Sequence, residues 1–211
     1  MSDQQPALLS AVAAYYAGKL AAHGTTPAGV DWNGEAGQVL RFAQLARILP
    51  PASEGYSVND LGCGYGALLD FLVPATAQLE YEGIDVSAPM ISAARIRHAG
   101  HPIASFHVGS EPTAIRDFSM ASGIFSVRLD TPDGPWLDYI KNTLDILDKY
   151  SAKGFAFNCL TSYSDRDRMR PDLYYADPLL LFDHCKRRYS RNVALLHDYD
   201  LYEFTILVRK S

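Results

Sequence analysis

The strongest constraint on this chain is a run of alternate glycines behind an acidic residue, Asp60-Leu61-Gly62-Cys63-Gly64-Tyr65-Gly66. It closes the stretch 56–60, which reads as a short strand, and precedes 67–73, which reads as a helix. Each glycine has a physical use in such a place: a positive φ for a tight turn, no Cβ where a ligand approaches the backbone, and close packing of helix on strand. N–H groups at the helix start then face the ligand. A second carboxylate, Asp85, ends the next strand-like run, Tyr81-Glu82-Gly83-Ile84-Asp85, 19 residues beyond Gly66. A carboxylate there can accept hydrogen bonds from both hydroxyls of a ribose. The spacing is GxGxG rather than the GxGxxG of dinucleotide-binding turns.

The rest of the chain alternates strand and helix periods. Strands are expected at 79–85, 104–108, 120–127 and 154–160. Helices are expected from Ser87 as cap, with Pro89 in the first turn, through Ile96, and around Trp136, Ile140, Leu144 and Leu147. Asp177-Pro178 opens a helix over 179–189. The chain closes with 193–197 and 201–208 separated by Asp198-Tyr199-Asp200, a hairpin pattern. The alternation predicts an α/β fold with a parallel sheet, to which the hairpin adds one antiparallel strand. Before the glycine turn, 7–22 and the segment from Val39 to Leu49 carry helical spacing. A Pro- and Gly-containing loop at 25–34 separates them, and Pro50-Pro51 stops the second. We therefore expect an N-terminal helical cap at 1–50 on a core at 51–211. The unpatterned stretch 161–176 is long enough to suspect a functional loop or lid.

Composition narrows the function classes. The 211 residues are 48% hydrophobic and 20% charged, ordinary for a folded domain. Nineteen basic against 24 acidic residues give a formal net charge of −5, so no nucleic-acid partner is expected. No apolar run approaches the roughly 18 residues that span a bilayer. The polar, acidic start Met1-Ser2-Asp3-Gln4 lacks the basic region of a secretory leader. Cys63, Cys159 and Cys185 lie far apart without metal-ligand spacing. They predict reduced thiols in a cytoplasmic protein, with no disulfide frame and no bound metal. Basic residues gather in 165–191, seven against five acidic, a net +2 that points to an anionic acceptor or product.

The stretch DLGCGYG at 60–66 followed by YEGIDVS at 81–87 resembles the class I S-adenosylmethionine-dependent methyltransferase family. The likeness covers 56–208 in element order and 58–90 in motif. It implies a three-layer Rossmann-like fold with a seven-stranded, mostly parallel sheet whose antiparallel last strand is inserted before the sixth. It implies S-adenosylmethionine as cofactor, over the turn of Asp60, Gly62, Cys63, Gly64 and Gly66. Asp85 would hold the ribose and Asp60 would sit near the methionine amino group. Val86 would belong to the same site, and Met90 would be an apolar wall. Ser110 stands where the family often has an acidic residue beside the adenine. The activity implied is in-line methyl transfer to a small-molecule acceptor. Two rivals stay open at this point: a nucleotide-dependent (NAD-type) oxidoreductase, which calls for GxGxxG and no closing hairpin, and a non-catalytic S-adenosylmethionine-binding module.

Ligands of parallel sheets bind outside the carboxyl ends of the strands. That rule selects Ser126, Arg128 and Asp130 after the fourth strand, Asn158, Thr161 and Tyr163 at the fifth, and His197 at the sixth. Each has a rival reading as a satisfied structural group. His197 is the candidate general base should the acceptor be a hydroxyl. Trp32 is either a lid over the cofactor or a buried anchor. Arg41 pairs either with the cofactor carboxylate or with a protein carboxylate. Tyr15, Tyr16 and Gln38 share helices expected at the same edge.

Overall fold

The computed structural model describes residues 5–51, 53–75 and 78–211; the polar start at 1–4, on which the reading of the N-terminus rests, lies outside the described residues. The strands are β1 (Tyr56–Leu61), β2 (Leu79–Asp85), β3 (Ala104–Val108), β4 (Arg116–Ala121), β5 (Ser151–Leu160), β6 (Asn192–Leu196) and β7 (Glu203–Arg209). They form one sheet in the order β3-β2-β1-β4-β5-β7-β6. β1 to β5 are parallel, and β7 runs antiparallel between β5 and β6. This is the expected seven-stranded arrangement, with the last strand inserted before the sixth.

The helices are α1 (Gln5–His23), α2 (Glu35–Ala46), α3 (Ala67–Leu72), α4 (Ala88–Arg97), α5 (Asp133–Lys149) and α6 (Pro178–Arg188). The strand period of two divides the apolar residues between two faces. Val58, Tyr81 and Met120 meet Phe42, Leu69 and Ile91 on one face. Leu61, Ile84 and Phe155 meet Trp136, Ile140 and Leu181 on the other. α2 packs across β5 and β7, whereas α1 lies against the 3-10 turn Pro27–Val30 and against α4. No helix among the described residues is long and apolar enough to cross a membrane.

Local chemistry explains several boundaries. Gly24 ends α1 in the left-handed region (φ 64°), its N–H donating to Leu20 O at 2.8 Å. Asp177 caps α6, its Oδ1 accepting from the N–H groups of Leu179 and Leu180 at 2.8 and 3.3 Å. Ser87 precedes α4 as expected, but its side chain makes no capping bond; its N–H donates to Asp85 Oδ1 at 2.8 Å instead.

The fourth strand differs most from expectation. It spans Arg116–Ala121 rather than 120–127. Gly123, with φ 78°, turns the chain out of the sheet. The apolar run beyond it is held as a turn: Trp136 Nε1 donates to Phe125 O at 2.9 Å, and Val127 forms an isolated bridge with Leu173. Apolar spacing here reports burial of a loop rather than strand pairing. The closing hairpin also has a longer connection, because β7 starts at Glu203; buried Tyr199 hydrogen-bonds Thr205 Oγ1 at 3.0 Å and anchors the loop.

Candidate active site

The glycine turn sits where β1 ends. Gly62 has φ 77°, and a Cβ there would lie 2.1 Å from Ile124 Cγ2. Gly66 has φ 84°, and its Cβ would meet His98 Nε2 at 2.7 Å. Both positions therefore exclude other residues by conformation and by space. The N–H groups of Gly62 and Cys63 donate to Ile84 O at 2.7 and 3.0 Å, and that of Gly64 to Asp85 Oδ2 at 2.9 Å. These three donors tie the turn to the end of β2, so they do not face a ligand freely as the sequence suggested.

Asp85 is half-buried and accepts from Gly64 N and Ser87 N with different oxygens. Burial raises its carboxyl above the usual range, and the two backbone donors oppose that shift. Asp60 is buried and accepts from Tyr81 Oη at 2.5 Å. Burial, with the charge of Asp85 adding to it, pushes the Asp60 carboxyl up to about 7, against the Tyr81 donation. A carboxyl of this kind becomes a full anion most readily when a cation arrives.

Both carboxylates line one cavity. Of the expected site residues, Asp60, Gly62, Cys63, Gly64, Asp85, Val86, Met90, Ser110 and Trp32 line it. Gly66 stands just behind as the residue that starts α3. The buried Cys63 thiol is raised by its surroundings and donates weakly to Gly64 O at 3.5 Å. Among the described lining residues Asp60 and Asp85 are the charged ones, and none is Lys, Arg or His.

Eight expected residues lie elsewhere, Asp130 and Thr161 among them. His197 is exposed, its ring 5.8 Å from that of Tyr163 and 6.1 Å from that of Phe204, outside the cavity. Tyr163 is 66% exposed. Both follow the carboxyl ends of β5 and β6, on the same edge of the sheet as the glycine turn but two and four strands away from β1. Because β4 stops at Ala121, Ser126 and Arg128 belong to the following loop. Ser126 O accepts from Tyr174 N at 2.8 Å. Arg128 donates to the carbonyls of Leu173, Thr131 and Pro171 at 3.1, 2.8 and 2.7 Å, and so fastens the 161–176 loop. Asn158 is buried between Gly123 N and Glu203, each 2.8 Å away. Arg41 is held in a bidentate pair by Glu203 and does not line the cavity, which corrects the contact expected with a cofactor carboxylate. The basic residues of 165–191 build no positive wall either: none lines the cavity. Arg170, Arg187 and Arg188 pair with Asp172, Asp183 and Asp145 at 2.6, 2.7 and 2.7 Å.

Several lining residues were not singled out by sequence. α1 contributes Leu9 and Val12, beside Tyr16 and the α2 residue Gln38 that were expected at this edge, and α5 contributes Tyr139, Thr143 and Ile146. The α5 trio has helical spacing one step to the side of the core stripe Trp136, Ile140, Leu144 and Leu147, which is the signal that could have found it. Burial raises the Tyr16 hydroxyl, with the Asp31, Tyr15 and Asp85 side chains adding, and pushes Tyr139 up to about 12. Both are neutral hydrogen-bonding groups at neutral pH.

α1 is clasped over the cavity by Asp31. That carboxylate accepts from Tyr15 Oη at 2.7 Å and Lys19 Nζ at 2.5 Å, both on α1, and from Arg170 Nη1 at 3.2 Å in the loop after β5. Burial acts to raise the Asp31 carboxyl, but these donors and the Arg170 charge outweigh it and hold it low.

No protein-family model matches the chain. It is 58% identical over 160 residues to the "Putative methyltransferase Rv1506c" of Mycobacterium tuberculosis (strain ATCC 25618 / H37Rv), covering 76% of this chain and 96% of that one. Among solved structures it resembles the DhpI-SAM-HEP complex, with a TM-score of 0.69 at 15% identity and full coverage of both chains. It also resembles the N-methyltransferase NodS from Bradyrhizobium japonicum WM9 in complex with S-adenosyl-L-homocysteine, with a TM-score of 0.65 at 14% identity over 93% of this chain and 97% of that one.

Proposed function

The chain belongs to the class I S-adenosylmethionine-dependent methyltransferases, and from that premise we propose how its residues divide the work and what kind of acceptor they admit. S-adenosylmethionine supplies a methyl group already activated by its sulfonium charge, so the protein mainly positions the partners and excludes water. Asp85 accepts from the ribose hydroxyls. Asp60 balances the positive charge of the methionine end. The Gly62–Gly64 backbone lets the cofactor approach, with Gly66 shaping the turn and Cys63 packed beneath it. Val86 and Met90 form the apolar wall, and Ser110 hydrogen-bonds at the adenine end. Residues 1–50 act as a cap on the 51–211 core, with α1 as its cover. The observation that carries this assignment is the convergence of Asp60, Gly62, Gly64 and Asp85 on one cavity at the ends of β1 and β2.

The acceptor is a small, neutral molecule with an apolar body. Support comes from a lining rich in Trp32, Phe42, Ile124 and Tyr16, with two carboxylates and no basic side chain among its described residues. An anionic acceptor would find no basic side chain there to pair with. No role as base is assigned to His197. The acceptor is a nucleophile whose proton, where it has one to lose, leaves to solvent.

The test is a thermal-shift titration joined to a product assay. S-adenosylhomocysteine should raise the Tm and NAD should not. Production of S-adenosylhomocysteine should be seen with neutral rather than anionic candidates. No shift with S-adenosylhomocysteine overturns the cofactor assignment, and turnover confined to anionic acceptors overturns the acceptor class.

A further inference from the structure

Five residues from distant parts of the chain close a ring of contacts at the β4 side of the cavity. Glu203, at the start of β7, is 6% exposed. Arg41 of α2 donates to it from Nε, 2.8 Å from each carboxylate oxygen, and again from Nη2. Asn158 of β5 donates to Glu203 Oε2 at 2.8 Å and accepts from Gly123 N at 2.8 Å. The Trp32 indole lies directly on Gly123: a Cβ there would be 2.8 Å from Trp32 Cζ2. Arg41 Cζ lies 4.4 Å from the Trp32 ring centroid, which closes the ring. Of the five, Trp32 and Gly123 face the cavity.

We propose that Glu203, Arg41 and Asn158 are positioning residues that fix Trp32 and the Gly123 backbone as a rigid flat wall against which a neutral planar acceptor is seated. The inference rests on the neutral-acceptor reading above and deepens it.

The physical argument has three parts. A bidentate guanidinium–carboxylate pair sets orientation as well as attraction, and a lysine would lose the fork and the stacking. A half-buried tryptophan beside a cavity has rotamer freedom unless something packs on both faces; here Gly123 takes one contact and the Arg41 guanidinium another. The same carboxylate that holds Arg41 also holds Asn158, and Asn158 holds the peptide after β4. Displacement of any one member therefore disturbs the wall from two directions. A helix staple alone would require the Arg41–Glu203 pair but neither the stacking on Trp32 nor the bond to Gly123.

The chain has two tryptophans, Trp32 and Trp136. Full-length protein labelled with 5-fluorotryptophan should therefore show two fluorine resonances, assigned through Trp32→Phe. In Glu203→Gln, and separately in Arg41→Lys, the Trp32 line should shift or broaden while the Trp136 line stays. With the protein saturated by S-adenosylhomocysteine, phenol serves as a neutral planar probe. Its Kd should rise at least about fivefold in either variant, while the S-adenosylhomocysteine Kd moves by less than about twofold. An unmoved Trp32 line in both variants overturns the proposal. So does an equal loss of affinity for both ligands, which is what a purely structural staple produces. Should Glu203→Gln not fold, Arg41→Lys carries the same readouts. Failure of phenol to bind the unaltered protein counts against the neutral planar acceptor, and the Trp32 line then decides the ring by itself.

Discussion

The two sides of the cavity are built by different means. On the β1–β2 side, the parts lie within one stretch of chain from Asp60 to Met90, and backbone bonds from Gly62, Cys63 and Gly64 to Ile84 and Asp85 hold them. On the β4–β5 side, Trp32, Gly123, Asn158 and Glu203 come from four separate segments, joined through side chains. Local backbone geometry is rigid and tolerates few residue types. A side-chain network tolerates more substitutions but can be retuned by residues that never touch a ligand. A cofactor site and an acceptor site on one scaffold differ in this way when the first must stay constant and the second specifies.

The sharpest way to break the contrast is Gly62→Ala. With a Cβ 2.1 Å from Ile124 Cγ2 and φ 77°, it should weaken S-adenosylhomocysteine binding by about 100-fold or more, or lower the Tm markedly. Calorimetry beside thermal unfolding separates the two. Binding retained within tenfold means the turn yields, and the β1–β2 side is less rigid than drawn. Next comes Asp85→Ala, which should lose on the order of 1–3 kcal/mol of cofactor affinity; unchanged affinity removes Asp85 from the site.

Asp60 gives a pH signature on the same side. Its carboxyl is pushed up to about 7, so cofactor affinity through a positively charged end should rise from pH 6 to pH 8 as Asp60 ionises. By linkage, a carboxyl raised in the folded state holds its proton between the unfolded value and about 7. Its contribution to the stability of the unliganded protein is therefore present at low pH and lost as pH rises through about 7. Asp60→Asn should flatten both profiles, and a binding slope that persists in that variant assigns it to another group.

The opposite side should respond more gently. Asp31→Asn loosens the clasp between α1 and Arg170 and should speed release of S-adenosylhomocysteine by about fivefold, on the order of 1 kcal/mol. The effect should shrink at high salt, and stopped-flow fluorescence can follow it. Identical release rates at low and high salt mean that α1 is not held by Asp31. The smallest effect belongs to His197→Ala, which should change cofactor affinity and methyl transfer by less than about twofold. A loss of tenfold or more in transfer alone restores His197 as a base.

Much of the β1–β2 side was legible because its determinants are local. A glycine at Gly62 or Gly66 and an acid at Asp85 record a turn, a close approach and a strand end in adjacent letters. The hairpin likewise announced the antiparallel β7. The β4–β5 side was misread for a definite reason. The run Ile124-Phe125-Ser126-Val127 has the apolar content of a strand, yet Gly123 turns it and Trp136 pins it, so Ser126 and Arg128 end up fastening a loop. Arg41 was recognised as a residue in need of a carboxylate, but nothing near it in sequence points to Glu203.

By itself the sequence determined the order of strands and helices, the glycine turn with its two carboxylates, and hence the family. Those features depend on conformations and periods that a few neighbouring residues dictate. Tertiary structure alone decided that α1 covers the cavity and that its described lining lacks basic side chains. It also decided that Arg170, Arg187 and Arg188 pair with carboxylates outside the cavity, and that Arg41 reaches Trp32 and Glu203. Charge and hydrogen-bonding capacity are written in the residues, but the partner that satisfies them is chosen by which distant segments the sheet brings together.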